Sequence, residues 1–431
     1  MDDANSNSRT GNVDEQAATP KQLPAHVRNL DIPASWRYGL VLWLVATLVL
    51  LVTSDVGSGV RALTQTVPRA GLNFQSEEQV LLEASVFTSV GELWEAGSKP
   101  LSIFIVITSI SWPYIKLLLT MYAWVAPMRN ATRREYLLIA LDLFGKWSFA
   151  DVVVFTVIVV VFRKTIPIGA GFLEVWIQPQ WGLYGFISAS MLSLMATHAV
   201  LHLHRRVLYG PAMQVAETDR STVASHMSTP SQLLSTLFLV ISFAVYLTGI
   251  ILHFFHVSNI QQGSVRDTDD YSLTSVGRDL PDAKRDDEPA GGLVYLQVVW
   301  FLLGVAIPLL LVVLSMVLLY APLTMAALRR WLLVTEVAAS WSCAEVFLIS
   351  IVLAIREIPT FGDGLIDTGC SQCYRVSTEF DAAGTTAFAV GTVTCMGAVL
   401  VILKAAHGVA YRKRAMTSHH DDPHRDDDEA S

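Results

Sequence analysis

The chain has 431 residues, of which 52% are hydrophobic and 16% are charged, and its formal net charge is −8. This composition is too apolar for a water-soluble domain, and the chain has no basic region that would bind nucleic acid. We therefore expect a polytopic membrane protein that binds no nucleic acid.

Eight apolar stretches follow one another along the chain. A hydrocarbon core of about 30 Å needs about 20 helical residues. The stretches are 38–53, 101–126, 147–162, 182–203, 233–256, 293–320, 341–355 and 387–406. The third and seventh are short, and the mixed segments 135–146 and 331–340 before them either lengthen them or lie along the membrane surface. The pattern predicts an all-α protein with eight transmembrane helices.

One phrase occurs twice in the chain. The motif Trp147-Ser148-Phe149-Ala150-Asp151-Val152 returns about 190 residues later as Trp341-Ser342-Cys343-Ala344-Glu345-Val346. With four stretches in each copy, both copies enter the membrane in the same direction, which predicts two parallel four-helix repeats. The predicted regions are a disordered N-terminus (1–35), a first repeat (36–206), a linker (207–231), a second repeat (232–414) and a disordered acidic, histidine-rich tail (415–431).

Basic residues predict the orientation of the helices. Arginines that follow the second, fourth, sixth and eighth stretches all fall on one side, among them Arg133, Arg205, Arg329 and Arg412. The positive-inside rule makes this side cytoplasmic and places both termini there. The opposite side receives two larger loops, 54–100 and 257–292. Since residues 1–35 contain no apolar signal region, the first stretch is expected to act as a signal anchor.

Three charged residues inside the apolar stretches are the main candidates for function. A charge at membrane depth is costly, so one that is present usually has a role. Lys116 and Asp151 lie at compatible depths, and we expect them to meet in the cytoplasmic half of the bilayer, as an ion pair or as a proton-sensitive switch that gates transport. Alternatively, they only neutralise each other and fix helix packing. The second repeat has Leu311 where Lys116 would be, so Glu345 is a relic of the duplication, a partner for another group, or a separate proton-binding group.

The second and sixth stretches each contain a proline, Pro113 and Pro308. Proline removes a backbone hydrogen bond and kinks a helix. Matched kinks either open a lateral groove for a lipid tail or are static packing bends. Trp147 is expected to anchor the end of its helix at the membrane surface, and Ser148 to cap that helix.

The cysteines and histidines suggest other functions than transport, but the spacing of these residues along the chain supports them weakly. Cys370 and Cys373 predict a structural disulfide, or less strongly a thiol exchanger, and offer too few ligands for zinc. His198, His202, His253 and His256 form no evident haem-binding pair. The chain contains no phosphate loop, Gly-x-Ser-x-Gly or HExxH motif, so we expect no enzyme activity, cofactor or metal.

The motifs resemble one membrane-protein family. Pro113-Tyr114-Ile115-Lys116 in the second stretch and Gly145-Lys146-Trp147-Ser148-Phe149-Ala150-Asp151-Val152 at the third are similar to the Pro-x-x-Lys and Gly-x-Trp-Ser-x-x-Asp-Val motifs of the paraquat-inducible protein A family. The resemblance implies an inner-membrane protein that moves lipids beside MCE-domain partners. Family members commonly carry four-cysteine zinc ribbons, whereas residues 1–35 and 205–231 contain no cysteine.

The resulting functional hypothesis is transport of lipids or other hydrophobic molecules, with membrane lipids and an MCE-type or other envelope protein as partners. The alternative is a non-transporting scaffold or stress-response protein whose outer loops bind a partner.

Overall fold

The computed structural model describes residue 26 and residues 32–68, 78–95, 97–128, 130–168, 171–209, 220–261, 264–284, 291–365 and 375–412. Within these ranges eight helices are long and apolar enough to cross a membrane. In chain order, spans 1 to 8 are Ala34–Val56, Lys99–Val125, Ala131–Val161, Trp181–Leu208, Thr229–Ile251, Gly291–Tyr320, Met325–Thr360 and Ala382–Tyr411. The predicted all-α polytopic membrane architecture is confirmed.

The spans are built from shorter helices. In the first half these are α1 (Ala34–Val56), α2 (Val86–Glu95), α3 (Lys99–Ile105), α4 (Trp112–Val125), α5 (Ala131–Gly145), α6 (Ala150–Val161) and α7 (Trp181–Tyr209). In the second half they are α8 (Thr229–Ile251), α9 (Leu273–Asp279), α10 (Gly291–Phe301), α11 (Ile307–Tyr320), α12 (Met325–Trp341), α13 (Ala344–Leu365) and α14 (Ala382–Arg412).

Spans 2 and 6 are each interrupted by a π-helical turn just before the proline. The turns are Val106–Ser111 and Leu302–Ala306, and Pro113 and Pro308 are the second residues of α4 and α11. Proline has no backbone N–H to donate to the carbonyl four residues earlier, so that hydrogen bond of the α-helix is already missing. A π-helical turn at this point therefore adds little to the free-energy cost of the proline. The carbonyl that Pro308 leaves free belongs to Gly304, and it accepts a hydrogen bond from the Tyr246 hydroxyl at 2.6 Å.

Spans 3 and 7 are long and contain the mixed segments that precede the motif. In span 3, α5 and α6 are joined by a short 3-10 turn, Lys146–Phe149. The segments 135–146 and 331–340 therefore lengthen the spans. Trp147 consequently lies near the middle of a span, so its predicted role as an anchor at the membrane surface is wrong. Nor does Ser148 cap α6, because the N-cap position is Phe149 and carries no side-chain cap.

The segments treated as outer loops contain antiparallel sheets. The first sheet has the order β2-β1-β4-β3 and consists of β1 (Val60–Pro68), β2 (Glu78–Ala84), β3 (Lys164–Ile168) and β4 (Gly171–Pro179). The later strands are β5 (Arg220–Ser221), β6 (His253–Gln261), β7 (Ser264–Ser272), β8 (Leu323–Thr324) and β9 (Arg375–Phe380).

Strands β7, β6 and β9 form a second sheet in that order, and β5 pairs with β8. The two larger sheets lie on one side, called here the sheet side. The opposite side, where span 1 begins and span 8 ends, is called the terminal side. Since span 5 ends at Ile251, His253 and His256 lie on β6 and not in a span, contrary to the predicted boundary.

The core lies where spans 3 and 7 meet. In the most apolar window of span 3, 78% of residues are buried, and 67% in span 7, against 33% in spans 1, 5 and 8. A helix that is covered by protein on all sides can be apolar all round, as the valine-rich α6 is. Helices α6 and α13 pack against each other, so the two copies of the repeated motif begin adjacent central helices.

Two glycines allow α8 and α14 to approach closely. A Cβ at Gly249 would lie 2.5 Å from the backbone nitrogen of Phe388, and one at Gly391 would lie 2.7 Å from the Cα of Tyr246. Small residues are favoured at such contacts because they let the backbones of membrane helices meet.

We expect Gly391→Ala to lower the free energy of unfolding by about 1–3 kcal/mol, because the new methyl group meets backbone that cannot rotate away. Gly397→Ala is the matched control, since Gly397 lies on the same helix, α14, and a Cβ there would have no atom within 4 Å. The control should be neutral or slightly stabilising. Thermal unfolding in detergent measures both, and equal stability of the two variants would contradict the close contact.

Candidate functional site

The two copies of the motif contact each other through a buried ion pair. Lys146, which immediately precedes the first copy, pairs with Glu345 of the second. The lysine side chain is 4% exposed, and Nζ also donates to the carbonyls of Ser342 at 3.0 Å and Ala339 at 3.3 Å. These carbonyls are available because α12 ends at Trp341 and leaves its last acceptors unpaired within the helix. Glu345 therefore has a basic partner, which comes from the other half.

A second contact between the halves is centred on Asp142 in α5. The Ser340 hydroxyl donates to Asp142 Oδ2 at 2.7 Å, and His198 Nδ1 lies 2.8 Å from Oδ1. On the far side of the ring, Trp341 Nε1 donates to His198 Nε2 at 3.0 Å. Because Nε2 accepts, the proton of a neutral imidazole lies on Nδ1, facing the carboxylate. His198 is thus part of a polar chain from Trp341 to Asp142.

Arg205 joins two carboxylates from opposite halves. Its Nε lies 2.8 Å from Glu135 Oε1. Its Nη1 binds Glu336 Oε2, and its Nη2 donates to Glu336 Oε1 at 3.2 Å. A two-pronged arginine–carboxylate contact fixes both partners in one orientation. His407 of span 8 lies 3.6 Å from Glu135 Oε1, so four spans meet at this point.

These polar residues at the boundary between the halves are called here the seam cluster. Its members are Glu135, Asp142, Lys146, His198, Arg205, Glu336, Ser340, Trp341 and Glu345. Of these residues, the sequence pointed to Glu345 as functional but did not show how the other members pair. One pattern could have indicated them, because Asp142 and Glu336 each lie five residues before the tryptophan of their copy of the motif.

A cavity of about 460 Å³ lies beside the seam cluster on the terminal side. Its polar wall includes Glu135, Asp142, Glu336, Lys404 and His407. The apolar wall includes Leu143, Leu201, Leu400 and Leu403. Both halves contribute to the lining, so this seam cavity exists only because the halves are packed together.

The predicted pairing of Lys116 with Asp151 is not present. Lys116 is 1% exposed, and its Nζ has no hydrogen-bond partner in the part of the chain that the structure describes. The amine lies beside Gly145, where a Cβ would be 2.5 Å from it, and Asp142 is the carboxylate that acts on it electrostatically.

Asp151 instead faces Ser109. Its carboxylate accepts from the Val152 backbone N–H at 2.8 Å and lies within hydrogen-bonding reach of the Ser109 side chain. Ser109 precedes Lys116 by two turns of helix, or about 10 Å of rise. The sequence estimate of depth failed because span 3 begins at Ala131 and not at Trp147. Asp151 therefore lies about 30 Å of helix rise from the terminal end of its span, whereas Lys116 lies about 14 Å from the terminal end of span 2.

Asp151 lines a second cavity, of about 110 Å³, between the first sheet and spans 2 and 3. Apolar residues such as Leu101, Phe155 and Ile158 form most of its wall, and Glu92 of α2 is the other carboxyl that lines it. Burial raises the pKa of Glu92 above its ordinary value. Near this sheet-side cavity, Asp55 is also buried and accepts from the Tyr114 hydroxyl at 2.6 Å.

The remaining predicted residues take structural positions. Trp147 packs edge-on against Phe104, with ring centroids 6.5 Å apart. Cys370 and Cys373 lie outside the described residues, while Cys343 and Cys395 are free thiols. Within the described ranges, no group of histidine, cysteine and acidic residues is arranged to hold a metal ion.

Comparison with known protein families gives a match over part of the chain. The family model of paraquat-inducible protein A matches residues 65–209. The matched segment contains the first-half members of the seam cluster and also Lys116 and Asp151. No curated protein and no solved structure matches the chain.

Proposed function

We propose that this chain, which has eight helices able to cross a membrane and matches the paraquat-inducible protein A family over residues 65–209, takes part in moving lipids or other hydrophobic molecules at the membrane. The seam cavity is the observation that carries the proposal. An amphiphile needs a site with one polar and one apolar wall, and this cavity has both. Its volume lies within the range of about 300–1,000 Å³ that is usual for ligand pockets.

The cavity walls suggest how an amphiphile would lie. A headgroup would be placed against Glu135, Asp142 and His407, which offer both hydrogen-bond acceptors and a donor. The tail would follow Leu400 and Leu403 of span 8 toward the membrane. Because the walls belong to different halves, a change in their separation would open or close the cavity, as in other transporters built from two halves. We propose transport rather than catalysis.

Filling the cavity tests this proposal. We expect Leu403→Trp to reduce labelling of the protein by a photoactivatable phospholipid severalfold, because the indole occupies the space beside the apolar wall. Val401→Trp is the matched control, since Val401 is exposed on the same helix and does not line the cavity. The measurement is crosslinking in vesicles, followed by analysis of the labelled lipid. Equal labelling of both variants and the wild type would contradict the seam cavity as the lipid site.

The two sheets support a second proposal, which concerns partners. Strands β2 and β3 edge the first sheet, and β7 and β9 edge the second. Edge strands have unpaired backbone groups that can bind another chain. We propose that an envelope protein, of the MCE type or another, docks on the sheet side. If the protein acts only as a scaffold, disruption of these edges abolishes its function in cells while Leu403→Trp has no effect.

A further inference from the structure

We propose that the seam cavity selects amphiphiles with a long acyl chain, because the acyl chain extends from it into a second cavity deeper in the membrane. The inference rests on the proposed function and adds to it a substrate class and the residues that select it. The second cavity, called here the inner cavity, has a volume of about 40 Å³. Its lining includes Tyr246 of span 5, Leu311 and Val312 of span 6, and Thr392 and Met396 of span 8.

The seam cavity and the inner cavity meet at three residues. Leu143 of span 3, Ala339 of span 7 and Leu400 of span 8 line both cavities. Ala339 has only a methyl group, so the two leucine side chains decide whether an acyl chain passes the junction. Leu400 is 44% exposed. Exposed side chains change rotamer within nanoseconds, so Leu400 can turn aside without a movement of the backbone.

Span 8 contributes one continuous face to both cavities. The lining residues of this face recur every three or four positions, as helix geometry requires. They are Thr392, Cys395, Met396, Val399, Leu400, Leu403, Lys404 and His407. From Lys404 to Thr392 the helix rises about 18 Å. This is slightly more than half the thickness of the hydrocarbon core, which is about 30 Å. An acyl chain must therefore be about as long as one leaflet is thick to reach the far end of the inner cavity.

The chemistry of the lining changes at the junction. On the terminal side, the wall of the seam cavity includes charged residues from spans 3, 7 and 8. Beyond the junction most lining residues are apolar, and the charged residues that line the inner cavity, Lys146 and Glu345, are bound to each other. A headgroup in the inner cavity would lose its hydration without gaining a free partner, whereas an alkyl group gains contacts there. The headgroup therefore lies in the seam cavity, and the end of the acyl chain lies in the inner cavity.

The exposure of span 8 gives the acyl chain a route from the bilayer. Met396 and Leu400 line the inner cavity and are 37% and 44% exposed, so protein does not fully cover this face. An acyl chain can enter sideways between spans 3 and 8 while its headgroup stays on the terminal side. The small volume of the inner cavity admits one chain end, so a second acyl chain of the same lipid stays in the bilayer.

Single-chain lipids of two lengths test the proposal. Purified protein in detergent is incubated with the photoactivatable phospholipid, and palmitoyl or octanoyl lysophosphatidylethanolamine is added as a competitor. The measurement is the apparent affinity of each competitor and the ratio of the two affinities. Met396→Trp should weaken the palmitoyl competitor at least about fourfold, the factor that corresponds to one buried methylene group. The octanoyl competitor should be unaffected, because its acyl chain is too short to reach Met396.

Val393→Trp is the matched control, since Val393 is 66% exposed on the same helix and lines neither cavity. It should leave both affinities unchanged. If Met396→Trp does not fold, Thr392→Leu fills the inner cavity more gently, with the same selective loss expected. The Thr392 hydroxyl has no hydrogen-bond partner among the described residues, so its removal leaves no group unpaired. A folded Met396→Trp or Thr392→Leu variant with the wild-type ratio of affinities would overturn the proposal.

Leu403→Trp separates this inference from the proposed function. Leu403 lines the seam cavity alone, so its substitution should weaken both competitors. If Leu403→Trp weakens both while Met396→Trp weakens neither, the seam cavity is the lipid site and the selection by acyl-chain length is wrong. If Leu403→Trp weakens neither competitor, the proposed function and this inference both fail.

Discussion

The Arg205→Met variant is expected to lose about 3–5 kcal/mol of unfolding free energy or more, the largest effect of any single substitution considered. The guanidinium is 5% exposed and binds Glu135 and Glu336, which are 7% and 18% exposed. Removal of one partner from a buried ion pair leaves an uncompensated charge, and this typically costs about 3–5 kcal/mol. Here two carboxylates, one in each half, lose the guanidinium at once, and Glu135 keeps only its weaker contact with His407 among the partners described above.

Arg206→Met provides the matched control for this prediction. Arg206 is exposed, follows directly in the same helix, and loses the same charge on substitution. Its effect should stay below about 1 kcal/mol, as for other exposed charges. Denaturant titration in detergent, followed by circular dichroism, measures both variants. Similar midpoints for the two would show that Arg205 does not hold the halves together.

The second large effect is expected for Lys146→Met, which leaves Glu345 and two carbonyl oxygens without their donor. The expected loss is again about 3–5 kcal/mol. Glu345→Leu alone should be comparably harmful, because it leaves the ammonium buried. The double variant removes both charges and should recover most of the stability, since a buried pair is often replaceable by apolar residues.

A double-mutant cycle makes this prediction decisive. The coupling free energy between Lys146 and Glu345 should exceed about 0.5 kcal/mol, which is the usual error of additivity for distant sites. The same substitutions combined with Lys99→Met should be additive, because Lys99 lies far along span 2. If the coupled pair proves as additive as this control, the two copies of the motif are not linked through these charges.

The spans could be predicted from the sequence because hydropathy acts locally. A run of about 20 apolar residues must be buried in lipid or protein whatever its neighbours are. The predicted span boundaries are wrong where the local sequence is charged but the surrounding protein pairs those charges. The segment 135–146 contains Glu135, Asp142 and Lys146, and these charges obscured a continuous span that tolerates them only because Arg205, His198 and Glu345 satisfy them.

The pairing of charges could not be predicted in the same way. Lys116 and Asp151 have opposite charges and would lie at similar depth if span 3 began at Trp147, but span 3 begins at Ala131 and the two residues lie at different depths. The charges of segment 135–146 concealed this start, because hydropathy does not show which charges are paired inside the protein. The internal repeat and the cytoplasmic location of the termini stay predictions.

By itself, the sequence determined that this protein has eight membrane-spanning helices and is similar to the paraquat-inducible protein A family. It also showed that charged residues in the apolar stretches lie close to the two copies of one motif. Only the tertiary structure decided which charges meet. Lys146 and Glu345 are about 200 residues apart in the chain, and their contact depends on the packing of two whole halves, to which apolar surface across many helices contributes. Hydropathy is a property of each segment, whereas an ion pair is a property of two segments and the space between them.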